Sequence, residues 1–249
     1  MSAAIVIPVR LASTRLPGKP LALLGELPLV NWVVRQCRRS VSASDVLVAT
    51  DSKEIEEALK DEDCRVVQTN PEHQSGSDRV AEVAQSLNHD FIINVQGDEP
   101  FVSPRDIDAV IAALNAYGHD IVTLRTSADD AELANPNTVK IALGHQDRAL
   151  YFSRAPIPFK HPSQTADATM YWRHIGLYGY RREALLRWAE LPNDRLENYE
   201  GLEQLRALSH GMTVQAIPAN NPSRGIDTPD DLQWARQRVD ELGAQAFPN

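Results

Sequence analysis

An alternation limits the architectures open to this chain more than anything else in it. Through the first half, short apolar runs rich in β-branched residues are each followed by a longer segment of helical periodicity. Strands are read at 4–9, 46–50, 65–69 and 91–95, and helices at 29–39, 53–62, 77–87 and 104–117. Such repeats imply parallel strands joined by right-handed crossovers, because a right-twisted strand feeding a right-handed helix packs back onto its sheet only that way. The run Phe91-Ile-Ile-Asn-Val95 is apolar nearly throughout, which fits a strand covered on both faces.

From residue 139 the rhythm changes. After a further strand read at 121–125, those at 139–143, 150–153, 175–180 and 213–218 become adjacent and carry more aromatics, with helices at 182–191, 199–210 and 229–242. The expectation is an α/β fold with a smaller, partly antiparallel lobe inserted around 150–180. Residues 1–249 read as one unit, without a long linker, internal repeat or low-complexity stretch. Gly201 falls inside the helix read at 199–210, where it is expected to cost about 1 kcal/mol relative to alanine.

Charge and cysteine content narrow the functional classes. The formal net charge of −9 argues against a nucleic-acid partner, and any anionic ligand must meet a local basic cluster. Cys37 and Cys64 are the only cysteines and show neither a disulfide framework nor zinc-ligand spacing. The chain runs from Met1 straight into a strand without a basic leader, and no apolar run approaches membrane-spanning length. A cytoplasmic location without membrane insertion is the expectation.

Three stretches carry chemistry. Ile5-Val-Ile-Pro-Val-Arg-Leu-Ala-Ser-Thr-Arg-Leu-Pro-Gly-Lys-Pro20 follows the first strand and places Arg10, Ser13, Arg15 and Lys19 in one loop. Backbone N–H groups and fixed cations in such a loop suit a polyphosphate, and the carboxyl ends of strands are where open α/β sheets bind ligands. It is not a Walker loop, because Ser13 stands where that motif needs glycine. The same stretch also reads as a solvated basic loop. In Gln96-Gly-Asp-Glu-Pro100, Gly97 lets the backbone turn and Asp98 offers a hard oxygen ligand suited to Mg²⁺ beside phosphate, or else caps the next helix. In Gly225-Ile-Asp-Thr-Pro-Asp-Asp231, Thr228, Pro229, Asp230 and Asp231 are accounted for as a helix start. Asp227 precedes that start and is a candidate second metal carboxylate.

These motifs, with His73-Gln-Ser-Gly-Ser-Asp-Arg79, Leu150-Tyr-Phe-Ser-Arg-Ala155, His174-Ile-Gly-Leu-Tyr-Gly-Tyr-Arg181 and Leu202-Glu-Gln-Leu-Arg206, resemble the 3-deoxy-manno-octulosonate (Kdo) cytidylyltransferases, or CMP-Kdo synthetases, in order along essentially the whole chain. The resemblance implies a Rossmann-like, GT-A-like nucleotidyltransferase sheet and a reaction of CTP with a sugar acid, giving the CMP-sugar and pyrophosphate for lipopolysaccharide biosynthesis. It assigns Arg10, Ser13, Arg15 and Lys19 to the triphosphate, with Arg15, Lys19 and Asp98 as catalytic groups. It places Ser75, Gly76 and Gln96 by the nucleotide, and Asp98 and Asp227 on Mg²⁺. Arg154 is the candidate for the sugar carboxylate, since its planar fork takes both oxygens. His174, Tyr178, Glu203 and Gln204 are candidates for the sugar hydroxyls. Each of His174, Tyr178 and Glu203 also has a plain structural reading, as interior histidine, core tyrosine and solvated helix residue. Met170-Tyr-Trp172 and its lobe resemble the family's dimer-forming region, which implies a homodimer. Activation of another sugar acid (8-amino-Kdo or sialic acid) and a non-catalytic nucleotide-binding role remain alternatives, the latter opposed by the pair of metal carboxylates.

Overall fold

The computed structural model describes residues 1–12, 15–73, 75–163 and 170–243. Its strands are β1 (Ala3–Pro8), β2 (Leu23–Leu24), β3 (Leu27–Pro28), β4 (Asp45–Thr50), β5 (Arg65–Gln68), β6 (Phe91–Asn94), β7 (Ile121–Ser127), β8 (Lys140–Leu143), β9 (Ala149–Ser153), β10 (Trp172–Arg181) and β11 (Val214–Pro218). Its α-helices are α1 (Leu29–Arg38), α2 (Lys53–Ala58), α3 (Gly76–Gln85), α4 (Pro104–Ala116), α5 (Asp130–Ala134), α6 (Arg182–Ala189), α7 (Arg195–Glu200), α8 (Gln204–Ser209) and α9 (Pro229–Leu242).

The main sheet runs β11-β7-β10-β6-β1-β4-β5, with β8 and β9 added beside β10. β6, β1, β4 and β5 pair in parallel, as the alternating pattern requires. β10 enters antiparallel between β6 and β7, and the β8–β9 hairpin pairs antiparallel against its first residues. β2 and β3 form a separate two-stranded ribbon.

Period-two alternation divides the core between the two faces of the sheet. Ile5 and Ile7 of β1 pack with residues of α1, α4 and α9, whereas Ala4 and Val6 pack with residues of α3, α6 and α8. All residues of β1 and β6 are buried, as the unbroken apolar run at 91–95 implied. The helices begin where short polar side chains can satisfy free N–H groups: Ser52, Ser75, Ser103 and Thr228 accept from the backbone N–H of Ile55, Asp78, Asp106 and Asp231. The helix start expected at Thr228-Pro229 is observed, with Asp231 closing a reciprocal capping box.

One expected helix is two. The segment read at 199–210 is broken at Gly201, which ends α7 in the left-handed conformation (φ +64°) and lets α8 start three residues later in a new direction. Asp194 and Glu197 form the capping box that starts α7, an element absent from the sequence reading. Gly201 is therefore no burden on a helix interior; it takes the backbone conformation that glycine adopts most readily.

Candidate active site

The basic loop leaves the carboxyl end of β1 and closes at Gly18, whose left-handed φ of +67° turns the chain into a short 3-10 turn at Lys19–Leu21. Arg10, Arg15 and Lys19 from this loop line a cavity of about 300 Å³ with Ser75, Gly76, Gln96, Asp98 and Asp227. Ser13 lies outside the described residues. The local basic cluster demanded by the acidic composition therefore exists, and Arg79 extends it.

Lys19 organises the floor of this cavity. Its Nζ donates to Asp98 Oδ2 at 2.6 Å and to Asp227 Oδ1 at 3.1 Å, and Arg15 lies 3.1 Å from the same Asp227 oxygen. The carboxylate-bearing loops are themselves tied together, since Ile226 N–H donates to the carbonyl of Asp98 at 2.9 Å. Asp98 does not cap α4, because Ser103 does. Asp227 N–H donates to Asp231 at 3.2 Å, so the start of α9 fixes the backbone from which Asp227 projects. Two hard carboxylates converging on one cationic centre fit Mg²⁺, which draws its remaining ligands from water and phosphate. Among the described residues no group of three or more His, Cys, Asp or Glu is arranged to hold a metal.

Gly97 stands in the turn expected of it, with Glu99 N–H donating to the Gln96 carbonyl at 3.2 Å, and close packing gives a second reason for glycine there. A Cβ there would lie 2.7 Å from Val9 Cγ2 and 2.9 Å from the Pro8 carbonyl oxygen. Only a bare α-carbon lets the Asp98 segment approach β1 this closely. Ser75 and Gly76 stand at the start of α3, Ser75 as its cap and Gly76 as its first residue. That helix start also faces the cavity, where backbone N–H groups favour anions. Burial, reinforced by the Asp98 charge, pushes the Glu99 carboxyl up to about 7.

A second cavity, about 250 Å³, adjoins the first. Gly176, Tyr178 and Tyr180 of β10 line it, opposite Trp188, Gly201, Leu202, Glu203 and Gln204. Gln96 and Glu203 line both cavities. Burial raises the Glu203 carboxyl above the usual carboxylate range, opposed by a hydrogen bond from Ser77. Tyr178 is likewise held protonated by burial. His174 stands behind Tyr178, with ring centres 5.2 Å apart, and burial lowers its pKa to about 3, so the imidazole is neutral.

Arg154 is placed at the edge of this region and lines neither cavity. Its Nε donates to the carbonyl of Glu200 at 2.8 Å, one Nη to Pro136 at 3.1 Å, and the other to Gly201 at 3.4 Å. The guanidinium is thereby fastened to the α7–α8 junction that Gly201 creates.

Sequence reasoning assigned no role to Arg79, although it closes one of the motifs singled out. It is 3% exposed, donates to Thr69 Oγ1, lies 3.4 Å from Asp51, and lines the first cavity. A buried arginine whose carboxylate partner lies 28 positions away in sequence leaves no local pattern to read.

Comparison with known proteins shows the family. A cytidylyltransferase family model matches residues 4–214. A 3-deoxy-manno-octulosonate cytidylyltransferase of Polynucleobacter necessarius subsp. necessarius is 44% identical over 241 residues, 94% of each chain. The chain belongs to the 3-deoxy-manno-octulosonate cytidylyltransferase family. The enzyme of that name from Acidobacterium capsulatum is 41% identical over 93% of this chain and 94% of its own. A solved CMP:2-keto-3-deoxy-manno-octonic acid synthetase, complexed with CTP, matches with a TM-score of 0.92 and 35% identity, covering 97% of this chain and 99% of that one. The mixed sheet with its antiparallel β10 is thus the family's fold, as the motif order implied.

Proposed function

We propose that this chain transfers CMP from CTP to the anomeric hydroxyl of 3-deoxy-D-manno-octulosonate, releasing pyrophosphate and supplying CMP-Kdo for lipopolysaccharide biosynthesis in the cytoplasm. The observation that carries the reading is the pair of adjoining cavities. One is lined by Arg10, Arg15 and Lys19 beside Asp98 and Asp227, the other by hydroxyl-binding groups, and they share Gln96 and Glu203 as a common wall. A nucleoside triphosphate in the first and a sugar in the second bring the attacking oxygen to the α-phosphorus across that wall. Family membership at 44% identity supports the same pair of substrates.

The anomeric oxygen forms a bond to the α-phosphorus as the bond to the β-phosphate bridging oxygen breaks. Negative charge grows on the leaving pyrophosphate, where Arg10, Arg15 and Lys19 are placed to meet it. Ser75 and Gly76 border the nucleotide, and Gln96 positions it against the sugar. Asp98 and Asp227 would hold Mg²⁺, which would supply charge neutralisation at the phosphates and Lewis-acid activation of the attacking hydroxyl. Holding the two substrates in one orientation supplies much of the acceleration, since no covalent enzyme intermediate is needed.

In the sugar cavity, Tyr178, Glu203 and Gln204 bind hydroxyls, and His174 supports them. Arg154, at the edge of this cavity and outside its lining, uses three N–H groups on backbone carbonyls and keeps two of its five for the sugar carboxylate. The segment around 150–180 serves as a dimerisation and sugar-binding lobe. Leu150, Phe159 and Met170 are 61%, 86% and 53% exposed, apolar side chains that a second copy of the chain would cover. Light scattering then gives a mass of twice 27.6 kDa, and a monomeric mass at micromolar concentration removes the dimer. The deciding experiment for the activity is pyrophosphate release with CTP, Mg²⁺ and a panel of sugar acids. Turnover greatest with 3-deoxy-manno-octulosonate supports the reading; a preference for 8-amino-Kdo or sialic acid, or no turnover at all, refutes it.

A further inference from the structure

The wall of the sugar cavity contains an irregularity that one hydroxyl resolves. In pairing with β7, Ile175 stands opposite Leu124, but the next pair is Tyr178 with Thr123. Gly176 and Leu177 are therefore extra residues on β10, and the strand bulges where it borders the cavity. Bulges of this kind re-aim side chains next to binding sites. Here the bulge sets the direction of Tyr178 relative to His174.

Thr123 is completely buried beneath this bulge. Its Oγ1 lies 2.9 Å from the carbonyl oxygen of Leu177, 3.2 Å from that of Ile175, and 2.9 Å from His174 Nε2. The hydroxyl has one proton and two lone pairs. Both carbonyls can only accept, and turning the proton to an unprotonated Nε2 would set both of them, at 2.9 and 3.2 Å, against the hydroxyl's lone pairs, so the proton points to the carbonyl side. His174 Nε2 must then be the donor, because an unprotonated Nε2 would set one lone pair against another at 2.9 Å. The ring is neutral, since burial lowers its pKa to about 3, and so it carries a single N–H. With that hydrogen on Nε2, Nδ1 holds the free lone pair. The partner of one ring nitrogen thus decides what the other can do.

We infer that Thr123 is a positioning residue of the sugar cavity: its hydroxyl fastens the β10 bulge and fixes His174 as the Nε2–H tautomer, and through that ring it sets Tyr178, which lines the cavity. This rests on the proposed sugar site. Phe152, edge-on to the ring with centres 5.1 Å apart, and Tyr178 at 5.2 Å leave the imidazole little room to flip.

The test pairs spectroscopy with kinetics on the full-length protein. Nitrogen-15 histidine labelling, with His174→Gln to assign the resonance, reports which ring nitrogen carries hydrogen in the wild type. Nε2–H is expected, and Nδ1–H overturns the proposal. Thr123→Val keeps the shape and removes the hydroxyl; Thr123→Ser keeps the hydroxyl. Valine is expected to shift the tautomer and raise the KM for Kdo about tenfold, the size of one lost hydrogen bond, with the KM for CTP unchanged. Serine is expected to restore both. A valine variant with unchanged tautomer and KM, or a serine variant no better than valine, shows that packing alone matters and overturns the proposal. If the valine variant does not fold, the wild-type tautomer and the serine variant decide. A folded wild type that shows the Nε2–H tautomer but does not turn over Kdo removes the functional reading, while the Thr123–His174 contact stands.

Discussion

Replacing Gly97 by alanine tests the link between packing and chemistry directly. The new Cβ would lie 2.7 Å from Val9 Cγ2 and 2.9 Å from the Pro8 carbonyl oxygen, and both neighbours are buried, Pro8 ending β1 and Val9 following it. Restoring an ordinary carbon–carbon separation of about 3.5 Å requires a shift of roughly 0.8 Å. The segment that must yield carries Asp98, whose Oδ2 lies 2.6 Å from Lys19 Nζ. Overpacking of this kind costs about 1–3 kcal/mol, which lowers the Tm by roughly 2–12 °C in a chain of this size. A displacement near 1 Å at a reacting centre lowers turnover on the order of a hundredfold. Thermal melts and pyrophosphate release on the same preparation measure both effects. Gly118→Ala is the control, because nothing lies within 4 Å of its Cβ position. If Gly97→Ala melts and turns over like the control, the close approach does not set the position of Asp98.

Asp98→Asn and Asp227→Asn are each expected to remove most turnover while the melting curve stays intact; near-normal rates at limiting Mg²⁺ would clear both residues of metal binding. Arg154→Lys keeps the charge but loses the planar fork. It should raise the KM for Kdo ten- to hundredfold, about 1.5–3 kcal/mol, and spare that for CTP; the opposite pattern assigns Arg154 to the nucleotide. His174 supplies a pH dependence. Its folded pKa is lowered from 6.5 to about 3, so the unfolded chain takes up a proton that the folded protein refuses. The stability it contributes is complete above about pH 6.5 and falls as pH drops toward 3, by about 2 kcal/mol on reaching pH 5. Urea midpoints at pH 7 and 5 should therefore differ more in the wild type than in His174→Gln, and equal differences would refute the assignment.

What could be read from the sequence follows the range of the interactions. Strands β1, β4, β5 and β6 announce themselves through local apolar runs, and the start of α9 through Thr228-Pro229 and its acids, because those signals lie within a few residues of the structures they cause. The break at Gly201 was also local, yet a helical pattern on either side concealed it; Asp194 and Glu197, three apart, were the cue. The arrangement at Lys19 had no such cue. Its two carboxylate partners lie 79 and 208 positions away, so composition and motif identify the groups while only the folded sheet brings them together. Thr123 is the extreme case: a buried threonine of β7 whose importance comes from two extra residues in a neighbouring strand some fifty positions on.

Gln96 and Glu203 belong to two cavities at once. Separate walls would let each ligand bind without regard to the other. A common wall makes the two equilibria reciprocal: if an occupant of one cavity reorients either side chain, it changes the neighbour's affinity, and the neighbour must change its own by the same factor. A substitution at Gln96 or Glu203 therefore acts on the coupling constant as well as on two affinities. Changing the sugar specificity of this fold by altering Glu203 will alter its apparent affinity for nucleotide, whereas changes at Gln204, which borders the second cavity alone, have no such direct route to the nucleotide.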